Sequence, residues 1–238
     1  MVNHLSDLQT LKNFLALPHR AEAILKKFAA LPGAMRRSGG EKEGFVYVPG
    51  TRENAVLLVA HADTAADERS RIAIEENSRV IFNRYGILGA DDRAGCAMLW
   101  LLRELGHGLL VTDGEEMGGI GTAFLATAFP ELYDELNCRY NFMIQIDRRG
   151  GNDFKCYNVG TDEFRAYVAE KTGFAEPNRS SFTDIVGLCR DVCGANLSCG
   201  YHDEHTAMEY LVKQEWHHTL TLLRRWLSEP GLPAFPLN

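Results

Sequence analysis

The stretch Ala55-Val56-Leu57-Leu58-Val59-Ala60 is the strongest constraint on how this chain folds. An unbroken apolar run of this kind marks a strand buried on both faces, and such strands belong to parallel sheets covered by helices. Gly108-Leu109-Leu110-Val111-Thr112 and Asn141-Phe142-Met143-Ile144-Gln145-Ile146 are runs of the same kind, and Ala195-Asn196-Leu197-Ser198-Cys199 is a fourth. Helical patterns separate them: Cys96 to Leu102, Ile120 to Pro130, and a helix capped by Thr161 that reaches Lys171 and stops at Gly173. The pattern predicts an α/β domain in which these strands share one sheet. At 238 residues the expectation is one domain, 1–238, with a helical pair over 1–33 packed on it. In that pair, the capping box Ser6-Asp7-Leu8-Gln9 opens a helix that runs to Leu17. Pro18 starts the second helix, which Pro32-Gly33 ends.

The polar residues that follow these strands carry the chemistry. His61 ends the first run, where open α/β sheets place their ligands. Asp63, two residues on, suits a carboxylate that holds the far nitrogen of a metal-bound imidazole. The second run leads into Asp113-Gly114-Glu115-Glu116-Met117-Gly118-Gly119. Two adjacent glutamates at a turn repel each other unless a cation or a proton relieves them. The third run ends at Asp147-Arg148-Arg149. Gly89-Ala90-Asp91-Asp92-Arg93-Ala94-Gly95 precedes a helix, with Asp92 as its N-cap and Asp91 just ahead of it. Residues 65 to 84 read as a charged loop and hairpin at the rim, with a strand at Arg79-Val80-Ile81-Phe82. Thr206-Ala207-Met208-Glu209 is a second capping box, expected to open a helix lasting to about Leu227. It would fix His205 directly before that helix, which favours His205 over His202 as a ligand; His217 and His218 fall mid-helix as packing or solvent-facing residues.

Composition limits the partners. The net charge of −7 argues against nucleic acid or an anionic membrane surface as a partner, and no apolar run approaches the roughly 20 residues of a membrane span. The polar N-terminus lacks the form of a secretory signal. Six cysteines without a C-x-x-C pair read as buried reduced thiols of a cytoplasmic protein rather than as a thiolate zinc site at Cys189, Cys193 and Cys199.

As a set, His61-Ala62-Asp63, Gly89-Ala90-Asp91-Asp92, Glu115-Glu116, Asp147 and His205-Thr206 resemble, in order, the motifs of the co-catalytic zinc exopeptidases, which include aminopeptidases, carboxypeptidase G-like enzymes and acylases. The resemblance spans about Val56 to Tyr210. It implies that Asp91 bridges two divalent ions, most simply Zn2+, with Mn2+ or Co2+ also compatible. His61 and Asp147 would complete one site, and Glu116 and His205 the other. Three ligand carboxylates against two divalent ions leave a net +1, which favours ionisation of a shared water. The resemblance also implies an α/β three-layer sandwich with a central mixed, mostly parallel sheet and helices on both faces, a cis bond between Asp91 and Asp92, Glu115 as general base, and Asp63 as the group orienting His61. The implied reaction is hydrolysis of a peptide or amide bond in a short peptide or N-acyl amino acid. Many members of the superfamily carry a lid domain between the equivalents of Asp147 and His205, for which residues 148–204 are too few.

Arg148 and Arg149 have two readings: pairing with surface acids, or a clamp for a substrate carboxylate. Ser180-Ser181-Phe182-Thr183-Asp184 also resembles a segment near the superfamily's site, without an assigned role. Two alternatives remain at this level, a two-metal phosphoesterase and a non-catalytic metal-binding module on the same fold. The first would want more cationic or amide donors than the two arginines, and the second would be expected to have lost a ligand or the base.

Overall fold

The computed structural model describes residues 4–178 and 182–237. Its strands are β1 (Met35–Ser38), β2 (Gly44–Val48), β3 (Leu57–His61), β4 (Ile74–Glu76), β5 (Val80–Asn83), β6 (Gly108–Thr112), β7 (Met143–Arg148), β8 (Phe154–Lys155), β9 (Gly194–Ser198), β10 (Tyr201–His202) and β11 (Tyr210–Val212). Its helices are α1 (His4–Leu15), α2 (Ala21–Ala29), α3 (Ala90–Leu102), α4 (Ile120–Ala128), α5 (Pro130–Arg139), α6 (Asp162–Thr172), α7 (Asp184–Leu188) and α8 (Lys213–Leu227).

Seven strands form the main sheet in the order β1-β2-β6-β3-β7-β9-β8. Its centre, β6-β3-β7-β9, is parallel, and the flanking pairs are antiparallel. The four runs read from the sequence are the parallel centre of this sheet. Their side chains alternate between two cores, as the two-residue period of a strand requires. Leu58 and Ala60 join α1, α2, α3, α6 and α8 on one face, and Leu57 and Val59 join α4, α5 and α7 on the other. The expected sandwich of helices about a mixed sheet is the fold observed. No helix among the described residues is long and apolar enough to cross a membrane.

A second sheet, β10-β11-β5-β4, was not expected from the sequence; it pairs the rim hairpin with the segment that follows β9. It also overturns the helix expected to start at Thr206. The chain instead extends into β11, and α8 begins only at Lys213. The reason lies at Glu209, whose carboxylate turns inward to backbone N–H groups at Gly89 and Asp91 instead of closing a capping box. The Ser6 box fails as well. α1 is already helical from His4, and Asp7 pairs with both terminal nitrogens of Arg224 on α8, at 2.6 and 2.9 Å. Two boundaries also differ: α2 starts at Ala21 rather than Pro18, and Pro130 opens α5 rather than ending the helix before it.

α3 lies close over the sheet because position 95 is glycine: a Cβ there would come within 2.0 Å of the Ile146 carbonyl oxygen on β7. That approach brings the start of α3 to the carboxyl ends of β3 and β7. All six cysteines are free, and five of them are buried.

Candidate metal centre

Three parallel strands end side by side, and each delivers a side chain from its carboxyl end. His61 is the last residue of β3, Asp147 lies near the end of β7, and the turn after β6 presents Glu115 and Glu116 in a short 3-10 helix. Asp91 enters from the start of α3. Regular helix begins only after Asp92, and the Asp91–Asp92 peptide bond is cis. Asp92 caps the helix as the sequence reading expects: its Oδ1 accepts from Gly95 N at 2.9 Å, and its Oδ2 accepts from His61 N at 3.2 Å. His205 arrives from the small sheet, in the turn between β10 and β11, and not from a helix start.

The Asp91 carboxylate lies between two imidazoles. Its Oδ1 is 3.1 Å from His61 Nε2 and its Oδ2 is 3.1 Å from His205 Nε2. Asp147 Oδ1 is 3.4 Å from His61 Nε2, and Glu116 Oε2 is 2.9 Å from His205 Nε2. Glu115 Oε2 stands 4.0 Å from His61 Nε2. Asp63 Oδ1 lies 3.3 Å from His61 Nδ1, and the Asp63 carboxylate also accepts the N–H groups of Glu115 and Glu116 at 3.2 and 3.3 Å. One carboxylate therefore holds both the histidine and the glutamate turn.

His202 lies elsewhere, hydrogen-bonded to Glu215 at 2.7 Å and stacked on Tyr210. Arg148 and Arg149 both line the cleft, and each has an acid partner: Asp153 Oδ1 at 3.0 Å from Arg148 Nε, and Glu204 Oε1 at 2.8 Å from Arg149 Nη1.

Negative charge is crowded here. Burial pushes the Glu115 carboxyl up to about 9, with Asp147, Asp184 and Asp91 adding to the rise and His61 opposing it. Burial and then Asp91 push Glu116 up to about 7, and Asp147 is raised by burial against the pull of His61. Asp91 is the exception. Burial would raise it, but hydrogen bonds with His205 and His61 hold it well below the usual carboxylate range. The hydrogen bond with Asp91 raises His205 to about 9. Carboxyls outnumber the two imidazoles, and such a set is relieved by divalent cations.

The donors could hold such ions. His61, Asp91 and Glu116 offer ligand atoms within 4.8 Å of one another, and so do His61, Asp92 and Asp147. In the second group Asp92 is already committed to Gly95 N and His61 N. Asp91 and Asp147 are therefore the better partners for His61.

Several supporting residues escape sequence reading. Asp147 Oδ2 accepts from Gln145 Nε2 at 3.0 Å and from Thr183 Oγ1 at 2.9 Å, and its Oδ1 accepts from the Tyr201 hydroxyl at 3.1 Å. Asn196 accepts from Asp147 N through its side-chain oxygen. The signal was available at Gln145 and Asn196, amides inside otherwise apolar strands, where burial requires a partner. Asp184 is fully buried, accepts from the hydroxyls of Thr112 and Thr122, and is raised to about 6, chiefly by burial. Of the Ser180–Asp184 segment, Ser180 and Ser181 lie outside the described residues. Phe182 and Thr183 line the cleft, whose volume is about 380 Å³.

No family model matches the chain, and no curated protein matches it. Solved structures do. An aminopeptidase PepT from Bacillus cereus is similar with a TM-score of 0.68 at 14% identity, over 95% of this chain and 98% of that one. A tripeptidase from Staphylococcus aureus gives 0.67 at 14%, over 96% and 98%. A glutaminyl cyclase from an Acidobacteriales bacterium gives 0.64 at 13%, over 96% of each. One fold thus serves both peptidases and a cyclase, so the reaction has to be argued from the site. The chain shares the fold of these peptidases and of the cyclase.

Proposed function

We propose that the chain is a metal-dependent hydrolase that cleaves a peptide or amide bond in a short peptide or N-acyl amino acid. One observation carries the reading: the Asp91 carboxylate sets one oxygen against His61 and the other against His205. His61, Asp91 and Asp147 would hold one divalent ion and Asp91, Glu116 and His205 the other. Zinc suits this nitrogen-and-oxygen set, with manganese or cobalt as alternatives. Bound there, the ions supply positive charge that favours ionisation of a water and the growth of negative charge on a carbonyl oxygen.

The protein's own groups do the rest. Glu115, next to this cluster but not in either donor set, takes the proton of the attacking water at its carboxylate and returns it to the leaving nitrogen. Asp63 orients that base through its backbone N–H and fixes the His61 ring in the same contact. The cleft has room for a small substrate, and Phe182 and Tyr157 in its wall offer apolar contact. A substrate carboxylate would reach Arg149 by exchanging with Glu204. Arg148, 9% exposed and held by Asp153, is the less available of the two.

A panel of dipeptides, tripeptides and N-acyl amino acids, assayed on protein loaded with Zn2+, Mn2+ or Co2+, tests the proposal. The expected result is amide hydrolysis that a chelator abolishes and added cation restores. Hydrolysis of nitrophenyl phosphate with every amide left intact would overturn it.

A further inference from the structure

Glu209 is 1% exposed, and its two carboxylate oxygens are both used on the loop that presents Asp91: Oε2 accepts from Gly89 N at 2.8 Å and Oε1 from Asp91 N at 3.1 Å. Its own backbone N–H bonds to Thr206 O at 3.2 Å, closing the turn Thr206–Glu209 that directly follows His205. One residue therefore ties the backbone of Asp91, at the start of α3, to the turn that directly follows His205 between β10 and β11, although the two segments lie far apart in sequence. On the reading that Asp91 and His205 hold a cation between them, we propose that Glu209 is the positioning residue that sets their separation.

The chemistry requires a carboxylate. Two N–H donors face two oxygens, and each needs an acceptor. A glutamine has the same size but must turn its NH2 toward one of the two N–H groups, which removes one bond and opposes two donors. An aspartate keeps both oxygens but is one methylene short of the loop. Either change leaves every ligand side chain in place and loosens only the distance between them.

Co2+ alone is the probe, followed by calorimetry and by its visible spectrum, with the wild-type chain, Glu209→Gln and Glu209→Asp compared. The expected result for Glu209→Gln is a loss of about 10- to 100-fold in affinity for the ion shared by Asp91, Glu116 and His205, with an altered spectrum for that ion. The thermal midpoint in chelator should fall by only a few degrees, as the loss of one buried bond requires, so the Co2+ affinity is the deciding readout. A merely structural role predicts a lowered midpoint in chelator with unchanged Co2+ affinity and spectrum, and that result overturns the proposal. If Glu209→Gln does not fold, Glu209→Asp, which keeps the charge, is read by the same criteria. Equal Co2+ binding by the wild-type chain and a folded variant refutes the positioning role alone. A wild-type chain that binds no Co2+ refutes the metal reading and this inference with it.

Discussion

Glu115 and Glu116 share one short turn but face different neighbours. Glu116 reaches His205 at 2.9 Å, whereas Glu115 stands 4.0 Å from His61 and makes no closer ion pair among the described residues. On the proposed function, the difference separates a ligand from a base. Glu115→Gln should therefore keep both cations, measured by elemental analysis, while turnover falls by roughly 10²–10⁴. Loss of metal from that variant would mean that the two glutamates have exchanged roles. The sequence shows the pair because adjacent carboxyls at a turn need compensation. It does not show Glu209, whose capping-box pattern has a local explanation that competes with its long-range contact. Tyr201 gives no signal at all, and Thr183 only as part of a segment without an assigned role, since a hydroxyl finds its acceptor, here Asp147, only through tertiary neighbours.

At the scale of elements, β3, β6 and β7 are legible because strands buried on both faces are almost wholly apolar until the site, with Gln145 in β7 as the exception. The Thr161 cap on α6 is legible too: its side chain accepts from Phe164 N, and Gly173 ends the helix in the left-handed region. The small sheet is not, because its strands are two to four residues long and pair with distant segments. His107, just before β6, pins several elements together. It accepts from Val56 N at 3.2 Å through Nδ1, and its Nε2 meets Leu227 O at the end of α8 at 2.9 Å, so the ring is neutral with its proton on Nε2. Burial first, then Arg52, lowers it from 6.5 to about 4, against the bond to Leu227. The unfolded chain therefore binds a proton near pH 6.5 that the fold does not accept until about pH 4. The stability contributed by neutral His107 is complete above 6.5 and is lost as pH falls toward 4. His107→Gln should lower Tm at pH 7.5 by roughly 2–8 °C, for about 1–2 kcal/mol of lost bonding. The gap to wild type should narrow by pH 5. A gap of constant width would show that the ring does not titrate as described.

At the scale of the molecule, the two donor sets rest on supports of different strength. His61 is 1% exposed and sits inside the seven-stranded sheet, whereas the His205 side chain is 51% exposed on a turn of the four-stranded one. Local opening of a small sheet at the rim costs less than disruption of a buried parallel one. The proposed pair of ions thus has an inner berth and an outer berth. Stepwise chelation should strip one equivalent at low chelator and the second only at higher chelator, with the first step silencing hydrolysis while circular dichroism stays native. Simultaneous loss of both equivalents would show the berths to be equal. Scarcity of a single trace element would then idle such a protein without dismantling it, and resupply would restart it with no need to refold.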